Sequence, residues 1–306
     1  MPYIYPSAPV RMTKASPVLL WRALHTVADA AYPRLLRLWL TQLHDAQAAV
    51  DESAVAQLLT VGDIAGAERF VATAWMTAGL GPLPDLLEPI LQQTLVRGAS
   101  ATVRAWPQLT GVVFQGRFNL QAPEAVAWLR RFGAEQVAQI DETTRAGLRT
   151  ALTSGLEAQQ PPAQTARQLR SQLGLTSQQQ SAVAMAEVQW RAEGKTEAQV
   201  TGLRERLAAQ KLRQRAEVIA HTESMTAANM GNQQLTIQAR DAGWLSVTAK
   251  RTWVITPDSH LCPGCAKIPE DYPDGVGLQE TFLTQWGAVL TPPAHPTCRC
   301  AVSIEV

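Results

Sequence analysis

All four cysteines of this 306-residue chain lie near its C-terminus, in a Cys262-Pro-Gly-Cys265 knuckle and, much later, a His295-Pro-Thr-Cys298-Arg-Cys300 run. Pro257, Pro263, Gly264, Pro269, Pro273, Gly275, Gly277, Pro292, Pro293 and Pro296 surround them. A tail so rich in proline and glycine reads as loops that build no large core, so something other than burial should hold it closed.

Two devices fit. The C-x-x-C turn points two thiolates at one centre, and H-x-x-C-x-C offers three more donors from an equally short segment. A tetrahedral zinc takes four ligands, which Cys262, Cys265, Cys298 and Cys300 supply, with His295 able to replace one thiolate because C-x-C is the tighter bite. The other device is disulfide pairing across the loop from Lys267 to Thr297, worth about 3 to 4 kcal/mol by loop entropy. No basic, continuously apolar leader marks a secretory signal at residues 1–9, which argues for metal first and expects synthesis in the cytosol.

With 46% hydrophobic and 17% charged residues the chain can bury a core and should form about two domains. A net charge of +1 supplies no bulk attraction to nucleic acid or an acidic membrane. The apolar, uncharged stretch from Phe70 to Pro84 is too short to cross a bilayer and is broken by Gly79, Gly81 and Pro82.

Helical signals dominate the first two thirds. Ser16-Pro17 caps a helix carrying Leu20, Leu24, Val27 and Ala31, and Pro33 opens a second segment with Leu35, Leu36, Trp39, Leu40 and Leu43. Further helices are expected from Ser53 to Leu59, from Asp63 to Thr77 with Gly79 as a stop, and from Asp85 to Val103. β-branched and aromatic residues between Leu109 and Asn119 suggest a connector or short strand. Pro123 starts a helical region with a Leu148, Leu152, Leu156 stripe that stops at Pro161-Pro162. Thr165 to Gln168, Ser177 to Gln180 and Thr196 to Gln199 have capping-box spacing, and the third helix presents Val200, Leu203 and Leu207 before a basic stretch, Lys211, Arg213 and Arg215, that reads as a solvated face. After Gly231 the texture changes, and Ser246 to Thr256 alternates with period two as a strand or hairpin arm. The expected fold is mainly α, with helical N-terminal and middle regions (1–120 and 121–210) and a small α+β domain with the cysteine tail (211–306). The nine tryptophans, Trp21, Trp39, Trp75, Trp106, Trp128 and Trp190 among them, read first as core residues and second as interface anchors.

The string Arg215-Ala-Glu217-Val-Ile-Ala-His221-Thr-Glu223, then Asn229-Met-Gly231, Trp244, Trp253, Asp258 and the two cysteine motifs resembles the phage Mu protein F-like family, across roughly Asp141 to Val306. The resemblance implies a minor head protein of a tailed phage, active in head morphogenesis, located in the virion at the head interior or portal vertex. Its implied partners are the portal protein, the major capsid or scaffolding protein and packaged DNA, with no membrane. Residues 1–120 match nothing in that family and read as a docking region.

The family domain has been compared with the ADP-ribosyltransferase fold, which raises an enzyme alternative. Arg215, Glu217 and Glu223 would hold phosphate and stabilise an oxocarbenium-like transition state. The same residues pair locally, Arg213 with Glu217 and Glu217 with His221 at helical spacing, and fold analogy does not establish function. A zinc-braced nuclease of the H-N-H type would need a histidine pair and an asparagine, and the segment between His260 and His295 has no asparagine. Gly194-Lys195-Thr196 has Gln189 where a phosphate loop needs its first glycine, and so reads as a helix start. His25 and His44 fall in amphipathic helices. The sequence therefore reads as a binding and assembly protein with no catalytic residue.

Overall fold

The structure, a computed structural model, describes residues 17–105, 118–259 and 261–305. It is mainly α with a small antiparallel sheet at the C-terminus, as the sequence predicts. The chain separates into two compact units, one formed by Met1–Leu35, Pro89–Leu129 and Val218–Val306, the other by Leu36–Glu88 and Arg130–Glu217. It passes between them inside helices α1 (Pro17–Ala48), α4 (Leu83–Ala105), α5 (Pro123–Glu157) and α8 (Glu197–Asp241).

In the unit that contains residues 36–88 and 130–217, local signals largely set the helix starts. Asp51 caps α2 (Glu52–Thr60), its Oδ1 accepting from the Ser53 and Ala54 amides at 2.8 and 3.1 Å. Asp63 caps α3 (Ile64–Ala74) by accepting from the Gly66 amide. The chain then enters a π-helical turn, Trp75–Leu80, so the helical run ends one residue beyond Gly79, the expected stop. Proline at the first position starts α6 (Pro162–Gln172), which places Thr165 in its buried interior, away from any cap. The next capping box closes one residue earlier than its spacing suggests: Thr176 and Gln179 bond reciprocally ahead of α7 (Ser177–Ala192). Thr196 and Gln199 do the same ahead of α8, as expected. Trp39, Val55, Val71, Trp75, Leu80, Leu83, Leu152 and Leu169 are buried.

Two arginines depart from the expected pattern. On α8 the buried row is Val200, Arg204, Ala208 and Leu212, with Leu203 and Leu207 at its edge. Arg204 lies 3.8 Å from Glu187 of α7, whose carboxyl is pushed up by burial, against the pull of the Arg204 charge. Arg215, expected on a solvated face, is buried. Its guanidinium donates to the Gly174 carbonyl, to Thr143 Oγ1 at 2.7 Å and to Thr144 Oγ1 at 3.1 Å, tying α8 to α5 and to the turn between α6 and α7.

In the other unit the first half of α1 packs Leu20, Leu24, Val27 and Ala28 on Met225 and Ala228 of α8 and on Ala301. No break occurs at Pro33. That residue is exposed, so the carbonyl its missing N–H leaves unpaired faces water. Helix α8 likewise runs through Gly231, where α4 crosses so closely that a Cβ would stand 2.1 Å from the Leu95 carbonyl oxygen. The expected connector at Leu109 to Asn119 lies largely outside the described residues, as do the Ser16 cap, Trp106 and His260.

The sheet is ordered β2-β1-β5 from Lys250–Val254 (β1), Val276–Gly277 (β2) and Ala301–Glu305 (β5), with Trp253 opposite Val302. The expected strand from Ser246 is therefore shorter, because Ser246 and Thr248 fold a hydroxyl-bonded turn before it. A separate hairpin, β3 (Phe282–Thr284) and β4 (Gly287–Val289), follows the helix that the cysteine knuckle starts, α9 (Pro263–Asp271). Arg251 on β1 holds these pieces together. Its buried guanidinium bonds Gln233 Oε1 at 2.9 Å, the Leu290 carbonyl at 2.5 Å and the Glu280 carbonyl, and stands over the Phe282 ring.

Candidate metal centre

Cys262 is the N-cap of α9, and its Sγ accepts from the Cys265 amide at 3.3 Å. With Pro263 at the first helical position, this cap turns a segment that reads as loop into helix and sets both knuckle sulfurs at its start.

His295 opens the second segment. The Cys298 amide bonds back to the His295 carbonyl, Thr297 sits at φ 62°, and its amide donates to Thr222 Oγ1 of α8 at 3.2 Å. His295 Nδ1 is 2.8 Å from the Pro296 carbonyl oxygen. A carbonyl only accepts, so Nδ1 carries the proton and Nε2 presents a lone pair, the arrangement in which histidine binds metal. That Nε2 lies 3.2 Å from Cys262 Sγ and 3.3 Å from Cys265 Sγ. Trp286, at the tip of the β3–β4 hairpin, covers the imidazole with ring centroids 4.4 Å apart.

The donors form two groups, Cys262 with Cys265 and His295, and Cys265 with Cys298 and Cys300, each with its ligand atoms within 4.8 Å of one another. Cys265 belongs to both. The first group is half-buried apart from Cys265, and the second is buried throughout. Cys265 and Cys298 are in contact, Sγ to Sγ 3.7 Å, and all four cysteines are free thiols. Contact with Cys265, and then with Cys300, lowers the Cys298 thiol, while contact with Cys298 raises Cys265, so the buried thiols titrate as one group. The sequence-predicted set is thus brought together, and His295, expected as a substitute, stands among the donors. Clustered sulfur and imidazole donors are compatible with a bound metal ion.

Other parts of this unit grip the segment from both sides. Helix α8 donates from Asn229 Nδ2 to the Cys300 carbonyl at 3.4 Å and from Asn232 Nδ2 to the Val302 carbonyl at 2.8 Å, covering the outer edge of β5. Helix α1 reaches the same segment from the far end of the sequence: Trp21 Nε1 donates to the Arg299 carbonyl at 2.6 Å, and His25 Nε2 lies 2.9 Å from the same oxygen. Asp258 pairs with the Arg299 side chain at 3.2 Å.

Trp21, His25, Asn232 and Trp286 are functional neighbours that the sequence reading missed. The spacing of Asn229 and Asn232 on one helix face was a usable signal. Nothing local marks Trp21 or His25 as partners of Arg299. Of the residues weighed for catalysis, Arg215 is engaged in the fold as above, Glu223 is buried, and Glu217 pairs with Arg213 at 3.0 Å in the expected local ion pair. Among the described residues no helix is long and apolar enough to cross a membrane.

Comparison of the chain with protein-family models, with curated proteins and with solved structures finds no match.

Proposed function

We propose that this chain is a minor head protein of a tailed phage, a binding and assembly protein without catalytic residues, and that its C-terminal sheet is closed by one zinc ion. Cys262, Cys265 and His295 supply three ligands, and the fourth comes from the inner pair, where Cys298 already touches Cys265. The ion would neutralise thiolates and tie α9 to the segment that leads into β5, a structural task that calls for a closed site.

The observation that carries this reading is how the fold uses the residues behind the resemblance. Asn229 secures β5, Gly231 admits α4, Thr222 holds the turn before Cys298, and Arg215 joins three segments of its unit. Each acts as a brace, and a brace is what an assembly protein needs from such a set. Arg215 in particular is enclosed by its own carbonyl and hydroxyl partners, and its pKa is lowered to about 10 by burial, which speaks for a structural part over phosphate binding. The docking surface belongs to the helices of residues 1–120, and the partners are the portal protein and the major capsid or scaffolding protein, with packaged DNA nearby.

Quantitative mass spectrometry of purified particles with chemical cross-linking tests the proposal. A few copies per particle, cross-linked to portal or inner capsid, is the expected outcome. Absence from particles would sink it and would bring the transferase and nuclease alternatives to the bench.

A further inference from the structure

A tetrahedral ion takes four donors, and this centre offers five. Whichever four are used, one donor is left over. The surplus sits in the inner group, where Cys300 lies within 4.8 Å of both Cys265 and Cys298 and where Cys265 and Cys298 are already in sulfur contact at 3.7 Å. Cys262 is the more accessible thiol, half-buried at the start of α9, while the other three are buried. A half-buried thiol, a shared sulfur behind it and a third sulfur in contact with that one make a relay, which metal binding alone does not require.

We infer that the centre is also an oxidation site, in which a hydroperoxide exchanges the metal for a Cys265 to Cys298 disulfide. The inference rests on the metal reading above. Cys262 thiolate attacks the peroxide: the O–O bond breaks, an S–O bond forms, and the sulfur gives two electrons to the departing hydroxide. Cys265 thiolate then attacks the Cys262 sulfur, forming S–S and releasing the second hydroxide. Both hydroxides take up protons as water. Cys298 thiolate next attacks Cys265, and Cys262 leaves as a thiolate. The sum is two thiols and one peroxide giving one disulfide and two waters. Cys265 is lost as a ligand, and Cys298 with it where it is the fourth, so the ion departs as a divalent cation.

The product joins the same two segments that the metal joins, the start of α9 and the turn before β5. A head protein made in a reducing cytoplasm and carried outside in a particle meets both redox conditions, and this pair of closures serves it in each.

The test uses the full chain, purified with its zinc and treated with a few equivalents of hydrogen peroxide. Metal release is followed with a metallochromic chelator, and free thiols and cross-links by alkylation and non-reducing peptide mapping. The expected result is release of the ion, loss of two thiols and a peptide joining the Cys265 and Cys298 segments, reversed by a thiol reductant with added zinc. Cys262→Ser should slow the cross-link by about tenfold, because the accessible thiolate is gone. If that variant does not fold, the wild-type peptide map decides alone. Retention of metal with all four thiols still alkylatable overturns the inference, as does a Cys262 to Cys265 link that goes no further, and both leave the metal reading standing. A chain that takes up no zinc at all overturns the metal reading, and with it the exchange.

Discussion

His25 and His221 show how a single side chain carries the state of the whole C-terminal segment. Burial lowers both imidazoles. For His25 the bond to the Arg299 carbonyl opposes that shift, and for His221 the Arg299 charge adds to it. Unfolded histidines take up protons near about pH 6.5. With a lower folded value, the unfolded chain binds more protons than the native one below that pH, so stability is fully present above about 6.5 and is lost as pH falls through the folded values. His25→Gln removes one of these linkages and keeps a donor toward the Arg299 carbonyl. Comparing urea midpoints of wild type and variant at about pH 7.5 and pH 5.5 should show a shallower decline for the variant. Equal slopes would mean that His25 is not held neutral by the fold. Both proteins keep the same thiol centre, so any metal bound there contributes alike to the two slopes.

Among the elements, α8 is the one whose sequence most misleads. Glycine in a helix costs about 1 kcal/mol relative to alanine, so Gly231 is locally unfavourable within α8. In the fold it is a crossing point, with a would-be Cβ 2.1 Å from the Leu95 carbonyl oxygen and 2.8 Å from the Ala99 amide nitrogen, backbone atoms that cannot swing aside. Gly231→Ala should therefore destabilise by about 2 kcal/mol in spite of its better propensity. Gly202→Ala, in the same helix with nothing within 4 Å of its added methyl, should stabilise by up to about 1 kcal/mol. Denaturant midpoints moving the same way for both would contradict the crossing. The same contrast explains what could be read from the chain beforehand. Caps at Thr196, Asp51 and Asp63 lie within a few residues of what they serve, and so left spacing signals. The five donors were legible because thiols and imidazole are scarce and clustered. Pro33 reads as the opening of a second segment, yet α1 runs through it because its unpaired carbonyl is left to solvent, and α8 runs through Gly231 because a neighbouring helix needs that close approach; neither cause is written in local period. The knuckle was read as loop because Pro263 marks a helix start as readily as a turn.

For the molecule as a whole, the question is what keeps the last strand in place. One of its two units is assembled from Met1–Leu35, Pro89–Leu129 and Val218–Val306, segments far apart in sequence, and the run from His295 to Val302 is where α1, α8, α9 and β1 all make contact. Closing such an arrangement costs chain entropy that a five-residue strand repays poorly by itself. An ion bound only by the folded state adds RT ln(1 + [L]/Kd), about 2.7 kcal/mol at a hundredfold excess over Kd. Removing it should therefore loosen one region and spare others. After treatment with a strong zinc chelator under reducing conditions, amides of Lys250–Val254 and Ala301–Glu305 should exchange with deuterium faster, while those of Glu52–Thr60 and Ile64–Ala74 keep their protection. Faster exchange at β5 with an unchanged α2 and α3 would identify the ion as the clasp of this sheet. Unchanged exchange at β5 would instead assign that task to Asn229, Asn232, Trp21 and the strand pairing, because those bonds persist when the thiols are empty.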